Sequence, residues 1–172
     1  MTLQDFEREI FPLKDRLYRY VLSMVHREEL AKDITQEVFI KVWERRKAMG
    51  DIKNKEAWCI RCARNLALDK MKAHANKVLN IEETRMIRDS VLQPYAKLEH
   101  SDLIDKMRHL LKNLPTKQRE IFQLRELAGF SNQEIQEILG LEAGQVKTNL
   151  FRARKKIRES IKRLVNYGLQ EN

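Results

Sequence analysis

Turn-forming and cross-linking residues are scarce in this sequence: five glycines, three prolines and two cysteines in 172 residues. So few breakers exclude a turn-rich sandwich or barrel, and two cysteines exclude a disulfide scaffold. Aromatic residues make up only 7%, and no apolar run approaches the roughly 20 residues that span a bilayer. The start, "MTLQDFEREIF", carries acids where a signal peptide requires an apolar stretch. The expected location is therefore cytoplasmic, without insertion into a membrane. Cys59 and Cys62 form a C-x-x-C in "WCIRCARN", but His26, His74, His100 and His109 are scattered and no second cysteine pair exists. A structural zinc site takes four ligands. Both thiols fall on the apolar side of a helix, where cysteine packs as a small hydrophobe. No metal and no cofactor is expected.

What is present is charge and helical periodicity. Apolar residues make up 42% and charged residues 34% of the chain, a combination that points to long amphipathic helices. Lys and Arg number 34 against 25 Asp and Glu, a net charge of +9. That balance favours a polyanionic partner, nucleic acid or an anionic membrane surface. The expected fold is all-α, with two small helical domains at residues 1–75 and 101–172. Between them the stretch 76–100, "NKVLNIEETRMIRDSVLQPYAKLEH", is charge-balanced, contains Pro94 and shows no sustained helical stripe, so it reads as a linker. Helices are expected near 5–25, 28–47 and 54–75, then near 101–113, 116–128, 131–139 and 143–165.

The run "SNQEIQEILGLEAGQVKTNLFRARKK" reads as two helices joined by a tight turn. Ser131 and Glu134 make a capping box, Ile135, Ile138 and Leu139 form a buried face, and Gly140 supplies the turn. Val146, Leu150, Ala153, Ile157, Ile161 and Leu164 then recur at helical spacing. Gln145, Thr148, Arg152, Lys155 and Lys156 are left on the opposite face, and Lys147 to Arg163 holds eight cations and one acid. Polar side chains at the entry and cations along the flank suit the major groove of a DNA duplex.

In the second helix, Ala31, Ile34, Val38, Phe39, Val42 and Trp43 share one arc. The other arc holds Asp33, Gln36, Glu37, Ile40 and Glu44. Scattered surface acids would give this pattern, and so would a docking face for a basic protein around an apolar anchor. Glu29, Asp33 and Glu37 align at i, i+4 spacing, as a row of metal ligands would, but a hydrolytic site needs ligands converging from several segments. In the third helix Cys59, Ile60, Cys62, Ala63, Leu66, Ala67 and Met71 face inward. Arg61, Arg64, Asn65, Leu68 and Lys72 face outward with Trp58 at the edge, as a single-strand platform or an ordinary exposed face.

The ordered motifs "DITQEVFIKVW", "AWCIRCARNLALDKM", "LPTKQREIFQLREL" and "FSNQEIQEILGLEAGQVKTNLFRARKKIRE" resemble the extracytoplasmic-function sigma factors of bacterial RNA polymerase, the short group of the sigma-70 family. The resemblance covers nearly the whole chain except the linker. It implies a promoter-specificity subunit without catalysis of its own, whose partners are core polymerase (β′ clamp and β subunit), promoter DNA and a cognate anti-sigma factor. Asp33, Gln36, Glu37 and Ile40 take the positions that dock on the β′ clamp. Trp58, Arg61, Arg64, Asn65 and Lys72 take those that open and read the minus-10 element. Asn65 lies at the pocket for a base flipped from the nontemplate strand, and the loop from Gly50 to Lys55 helps to hold it.

Gln145, Lys147, Thr148, Phe151, Arg152 and Lys155 take the positions facing the minus-35 element. Three residues depart from the family pattern: Gln136 stands at a usual alanine, Glu142 at a usual Ser, Thr or Pro, and Asn149 where arginine is common. A free-standing regulator would instead bind its operator without polymerase and need neither Asp33 nor Glu37. A nuclease built on Glu29, Asp33 and Glu37 would respond to Mg²⁺ or Mn²⁺. How the two domains sit without polymerase is open: a compact arrangement and a flexible dumbbell both fit.

Overall fold

The computed structural model describes residues 1–84 and 109–168, with side chains over 1–74 and 109–163. Among the described residues every regular element is helical. The front half comprises α1 (Leu3–Glu9), a 3-10 turn (Phe11–Leu13), α2 (Lys14–Val25), α3 (Glu28–Glu44), a second 3-10 turn (Ala48–Asp51) and α4 (Lys55–Thr84). The back half comprises a helical piece at 109–112, α5 (Thr116–Phe122) continued by a π turn (Gln123–Leu127), α6 (Asn132–Leu139) and α7 (Ala143–Gly168). Most of the expected linker, with Pro94, and the start of the helix expected at 101–113 lie outside the described residues.

The two largest departures from the expected helices are in the front half. The single helix expected at 5–25 is broken into α1 and α2 by a 3-10 turn holding Pro12, because proline has no backbone N–H and crowds the preceding turn. The helix expected to end at 75 runs on to Thr84. The stretch "NKVLNIEET" contains neither proline nor glycine, so nothing local stops it.

Between α2 and α3 the chain reverses at His26, a non-glycine residue at φ 54° whose N–H donates to the Leu22 carbonyl at 2.9 Å. The reversal lays α2, α3 and α4 together around Leu17, Tyr20, Val21, Ala31, Ile34, Val38, Val42, Ile60 and Ala63, all buried. Ile121, Leu124, Ala128, Phe130, Ile135, Ile138, Val146 and Leu150 of the back half join the same apolar cluster. The arrangement is thus the compact one. A second, smaller core of Leu110, Leu111, Leu114, Phe122, Ala153 and Ile157 ties α5 to α7. Three residues on the expected apolar faces are exposed: Trp43 at 38%, and Met71 and Ile161 at 43% each. The Leu164 side chain is outside the described residues.

The helix ends of the back half follow the sequence signals. Ser131 Oγ accepts from the Glu134 N–H at 3.2 Å, and the Glu134 carboxylate accepts from the Ser131 N–H at 2.5 Å. Gly140 ends α6 at φ 64°, and a Cβ added there would meet nothing within 4 Å. The cost of Gly140→Ala is therefore conformational rather than steric. It is expected to be about 1 kcal/mol, read as a lowered urea midpoint with unchanged slope.

Candidate functional site

On α3, Asp33, Gln36 and Ile40 are exposed and Glu37 is half-buried, one turn apart around a common face. Ile40 is 57% exposed, an apolar side chain surrounded by polar ones. Glu37 pairs with Lys41 at 3.2 Å and with Lys70 of α4 at 3.1 Å. The hydrogen bond from Lys70, helped by Lys41, outweighs burial and holds its carboxyl below the usual carboxylate range. α1 packs on the other, apolar arc of α3: Phe6 meets Phe39 and Trp43 edge-on, with ring centroids 6.0 and 5.8 Å apart. Glu29 pairs locally with Lys32 at 2.8 Å. Among the described residues no group of three or more His, Cys, Asp or Glu is placed to hold a metal ion.

On α4, Arg61, Asn65 and Lys72 are exposed, and Trp58 and Arg64 are half-buried. Asn54 starts the helix by accepting from the Ala57 N–H at 2.8 Å. The outward face of α4 is turned onto the back half. Arg64 pairs with the Glu120 carboxylate of α5, which also accepts from the Tyr20 hydroxyl at 3.3 Å. Arg61 donates to the Glu137 carbonyl of α6 at 3.2 Å, and Asn54 donates to the Glu137 carboxylate. Arg61, Arg64 and Asn65 line a cleft of about 300 Å³ with Lys117, Glu120 and Ile138 opposite. Behind them Cys59 is buried and its thiol is pushed up to about 12 by burial; Cys62 is raised for the same reason. Both thiols are free and protonated, as packing groups are.

On α7, Gln145, Lys147, Thr148, Phe151, Arg152 and Lys155 are all exposed, and Phe151 reaches 68%. Val146, Leu150 and Ala153 beneath them are buried and fix the rotation of the helix. The Gln145 side-chain oxygen accepts from the Glu142 N–H at 3.2 Å, so this residue also caps its own helix. Asn149 donates back to the Gln145 carbonyl at 2.8 Å, and Gln136 donates to the Asn132 carbonyl at 3.1 Å. Two of the three departures from the family pattern are thus spent on their own helices. Arg154 is held to Glu126 of the π turn at 2.6 Å, which removes one cation from the open face.

The contacts that join the halves were not foreseen from the sequence. Arg16 of α2 bridges Glu56 at 2.6 Å and Glu134 at 3.0 Å, and its guanidinium lies 3.8 Å above the Phe130 ring. Burial pushes the Glu56 carboxyl up against the pull of Arg16, with the neighbouring Glu134 charge adding to the rise. Burial also raises Glu134, but the bonds from Ser131 and Arg16 prevail and hold it low. Gln123, buried in the π turn, donates to the Ser23 carbonyl at 2.7 Å. These partners lie about 40 to more than 100 residues apart in sequence, so no local pattern signals them. The one local hint is a buried polar residue inside an apolar helix, which Gln123 is.

The family model for Sigma-70 region 2 matches residues 12–77, and the model for Sigma-70, region 4 matches residues 104–157. The chain is 27% identical to the ECF RNA polymerase sigma factor SigW of Bacillus subtilis (strain 168) over 161 residues, covering 88% of this chain and 86% of the relative. It is 26% identical to SigM of the same organism over 152 residues, covering 87% and 91%. Among solved structures it is similar to the sigma factor RpoE, solved in complex with the anti-sigma factor NepR from Bartonella quintana. That match has a TM-score of 0.67 and 25% identity, covering 93% of this chain and 98% of that one. The two models are parts of one family, follow one another in order and together take in most of the chain. The chain belongs to the extracytoplasmic-function group of the sigma-70 family, the RNA polymerase sigma factors that start transcription at specific promoters.

Proposed function

We propose that the chain grips a promoter at two points while seated on core polymerase, and catalyses nothing itself. Asp33, Gln36, Glu37 and Ile40 dock on the β′ clamp. Trp58, Arg61, Arg64, Asn65 and Lys72, in the domain over residues 1–75, trap the melted minus-10 strand. Gln145, Lys147, Thr148, Phe151, Arg152 and Lys155, in the domain over 101–172, hold the minus-35 duplex. Melting is driven by binding, because a captured base and its stacked neighbours offset the few kcal/mol of unstacking.

The observation that carries this reading is the division of charge. α3 presents carboxylates around the exposed Ile40, whereas α7 presents cations around the exposed Phe151. A single DNA reader has no use for the first surface. No helix among the described residues is long and apolar enough to cross a membrane, and a chain that works on polymerase belongs in the cytoplasm. RpoE of Bartonella quintana was solved with an anti-sigma factor, and an inhibitor of that kind is proposed here as well.

The test is transcription by core polymerase reconstituted with this protein, with the transcript starts sequenced. Initiation at a defined set of sites sharing two spaced elements is expected. Silence at every promoter from a correctly folded protein would refute the reading. In the same assay Arg152→Ala should lower initiation about tenfold, the size of one lost base or phosphate contact, and leave polymerase affinity unchanged.

A further inference from the structure

The direction of a side-chain amide is fixed by the chemistry of its partner, and at the start of α7 that partner is main chain. The Gln145 side-chain oxygen accepts from the Glu142 N–H at 3.2 Å. A main-chain N–H can only donate, so the atom facing it is the oxygen and the NH₂ branch is left for an outside partner. Ala143, Gly144 and Gln145 are all exposed, and a Cβ built on Gly144 would meet nothing within 4 Å. The first turn of α7 is therefore open to a duplex. One turn further on, Asn149 spends its NH₂ on the Gln145 carbonyl at 2.8 Å, and Thr148 is likewise uncharged. Neither neighbour carries a charge that would override the polarity of the amide.

We propose that Gln145 determines specificity at one position of the minus-35 duplex by selecting a keto base, guanine before thymine. The proposal rests on the assignment of α7 to that duplex. The N-terminal residues of a recognition helix are the ones that meet base edges in the major groove. There guanine offers O6 and N7 as adjacent acceptors and thymine offers O4, whereas adenine and cytosine present an exocyclic amine that opposes an NH₂. Glutamine selects adenine by using both branches of its amide, on N6 and N7 together. With the oxygen of Gln145 committed to the cap, one of those two bonds is gone, and the donor that remains fits guanine instead.

The experiment turns on Gln145→Glu. A carboxylate still accepts from the Glu142 N–H and suits a helix N-terminus, so the cap survives while both donors are lost. What remains is an acceptor, which pairs with the amine of cytosine or adenine. The full-length chain and each variant are reconstituted with core polymerase on a duplex library carrying a randomised upstream stretch, and the templates that initiate are sequenced. The added charge lowers initiation on every template alike, so the readout is the base profile within each library. Gln145→Ala and Arg152→Ala are run beside it, and circular dichroism checks each fold.

The native chain is expected to enrich a keto base about tenfold at one position. Gln145→Glu should replace it there with cytosine or adenine and leave the other positions as they were, and Gln145→Ala should flatten that position. An unchanged profile in Gln145→Glu overturns the proposal. So does a native preference for adenine or cytosine at the position that responds, since the oxygen has then left the cap to read a base. Arg152→Ala separates the proposal from the assignment beneath it. If it alters the profile where Gln145→Glu does not, α7 reads the duplex and only the role of Gln145 falls. If neither alters it, or no upstream base is enriched, the assignment of α7 falls and the proposal with it. Should Gln145→Glu not fold, loss or retention of the keto preference in Gln145→Ala decides the matter.

Discussion

Asp33→Lys combined with Glu37→Lys is expected to lower affinity for core polymerase by about 100-fold or more and to silence reconstituted transcription. Each reversal turns an attraction into a repulsion at one docking point, and like-charge juxtaposition across an interface costs several kcal/mol. Asp33 is exposed, so its reversal disturbs no internal partner. Glu37 needs more care, because Lys41 and Lys70 both lie against it, and a third cation there would loosen the contact between α3 and α4. Its depressed carboxyl contributes stability above the ordinary carboxylate range, lost as the pH falls through the lowered value. At pH 7 the native group is therefore charged. Titration of labelled protein with core enzyme measures the loss, and a thermal melt confirms the fold. A folded double variant that binds polymerase with native affinity removes the docking assignment, whereas Asp33→Asn with Glu37→Gln should show an intermediate loss.

Phe130→Ala is expected to destabilise the chain by about 3–5 kcal/mol, the range for emptying a fully buried aromatic site. Phe130 is 0% exposed and roofed by the Arg16 guanidinium at 3.8 Å. Its loss removes both the apolar filling and a partly desolvated cation–π contact. Against a typical total of roughly 5–15 kcal/mol, this places the variant near the edge of folding at physiological temperature. Urea unfolding followed by circular dichroism measures it, and a loss under 1 kcal/mol would mean that the seat of Phe130 can collapse. Phe151→Ala supplies the contrast, since that ring is 68% exposed. Its removal should leave the midpoint unchanged while weakening contact with upstream duplex.

The difference between those two phenylalanines also marks what could be read in advance. Phe151 sits in a periodic helix whose buried side is marked by Val146, Leu150 and Ala153, and its outward place was implied by the family resemblance. Phe130 follows Gly129 in a break between helices, where periodicity says nothing, and its burial depends on Arg16, more than 100 residues earlier. The same reason explains the faces of α3, set by Ala31, Ile34, Val38 and Val42, against the pairing of Arg64 with Glu120. Helix faces are local properties of the chain, whereas the join between halves is a property of the fold. Helix ends were legible where a specific residue acts, as at Ser131 and Gly140. The end of α4 was misplaced because the expected stop rested on a change in composition, and no breaker stands there.

The shared apolar cluster has a calorimetric consequence. Ala128 and Phe130, fully buried, meet the front half through Arg19, which donates to the Ala128 carbonyl at 3.4 Å, and through Arg16 above the phenyl ring. Parting of the halves on polymerase would hydrate apolar surface at this join at the same time as the docking surfaces are dried. Wetting raises the heat capacity and drying lowers it. The heat-capacity change of binding to polymerase should therefore be less negative than the area of contact predicts, and the shortfall measures how much of the join had to open.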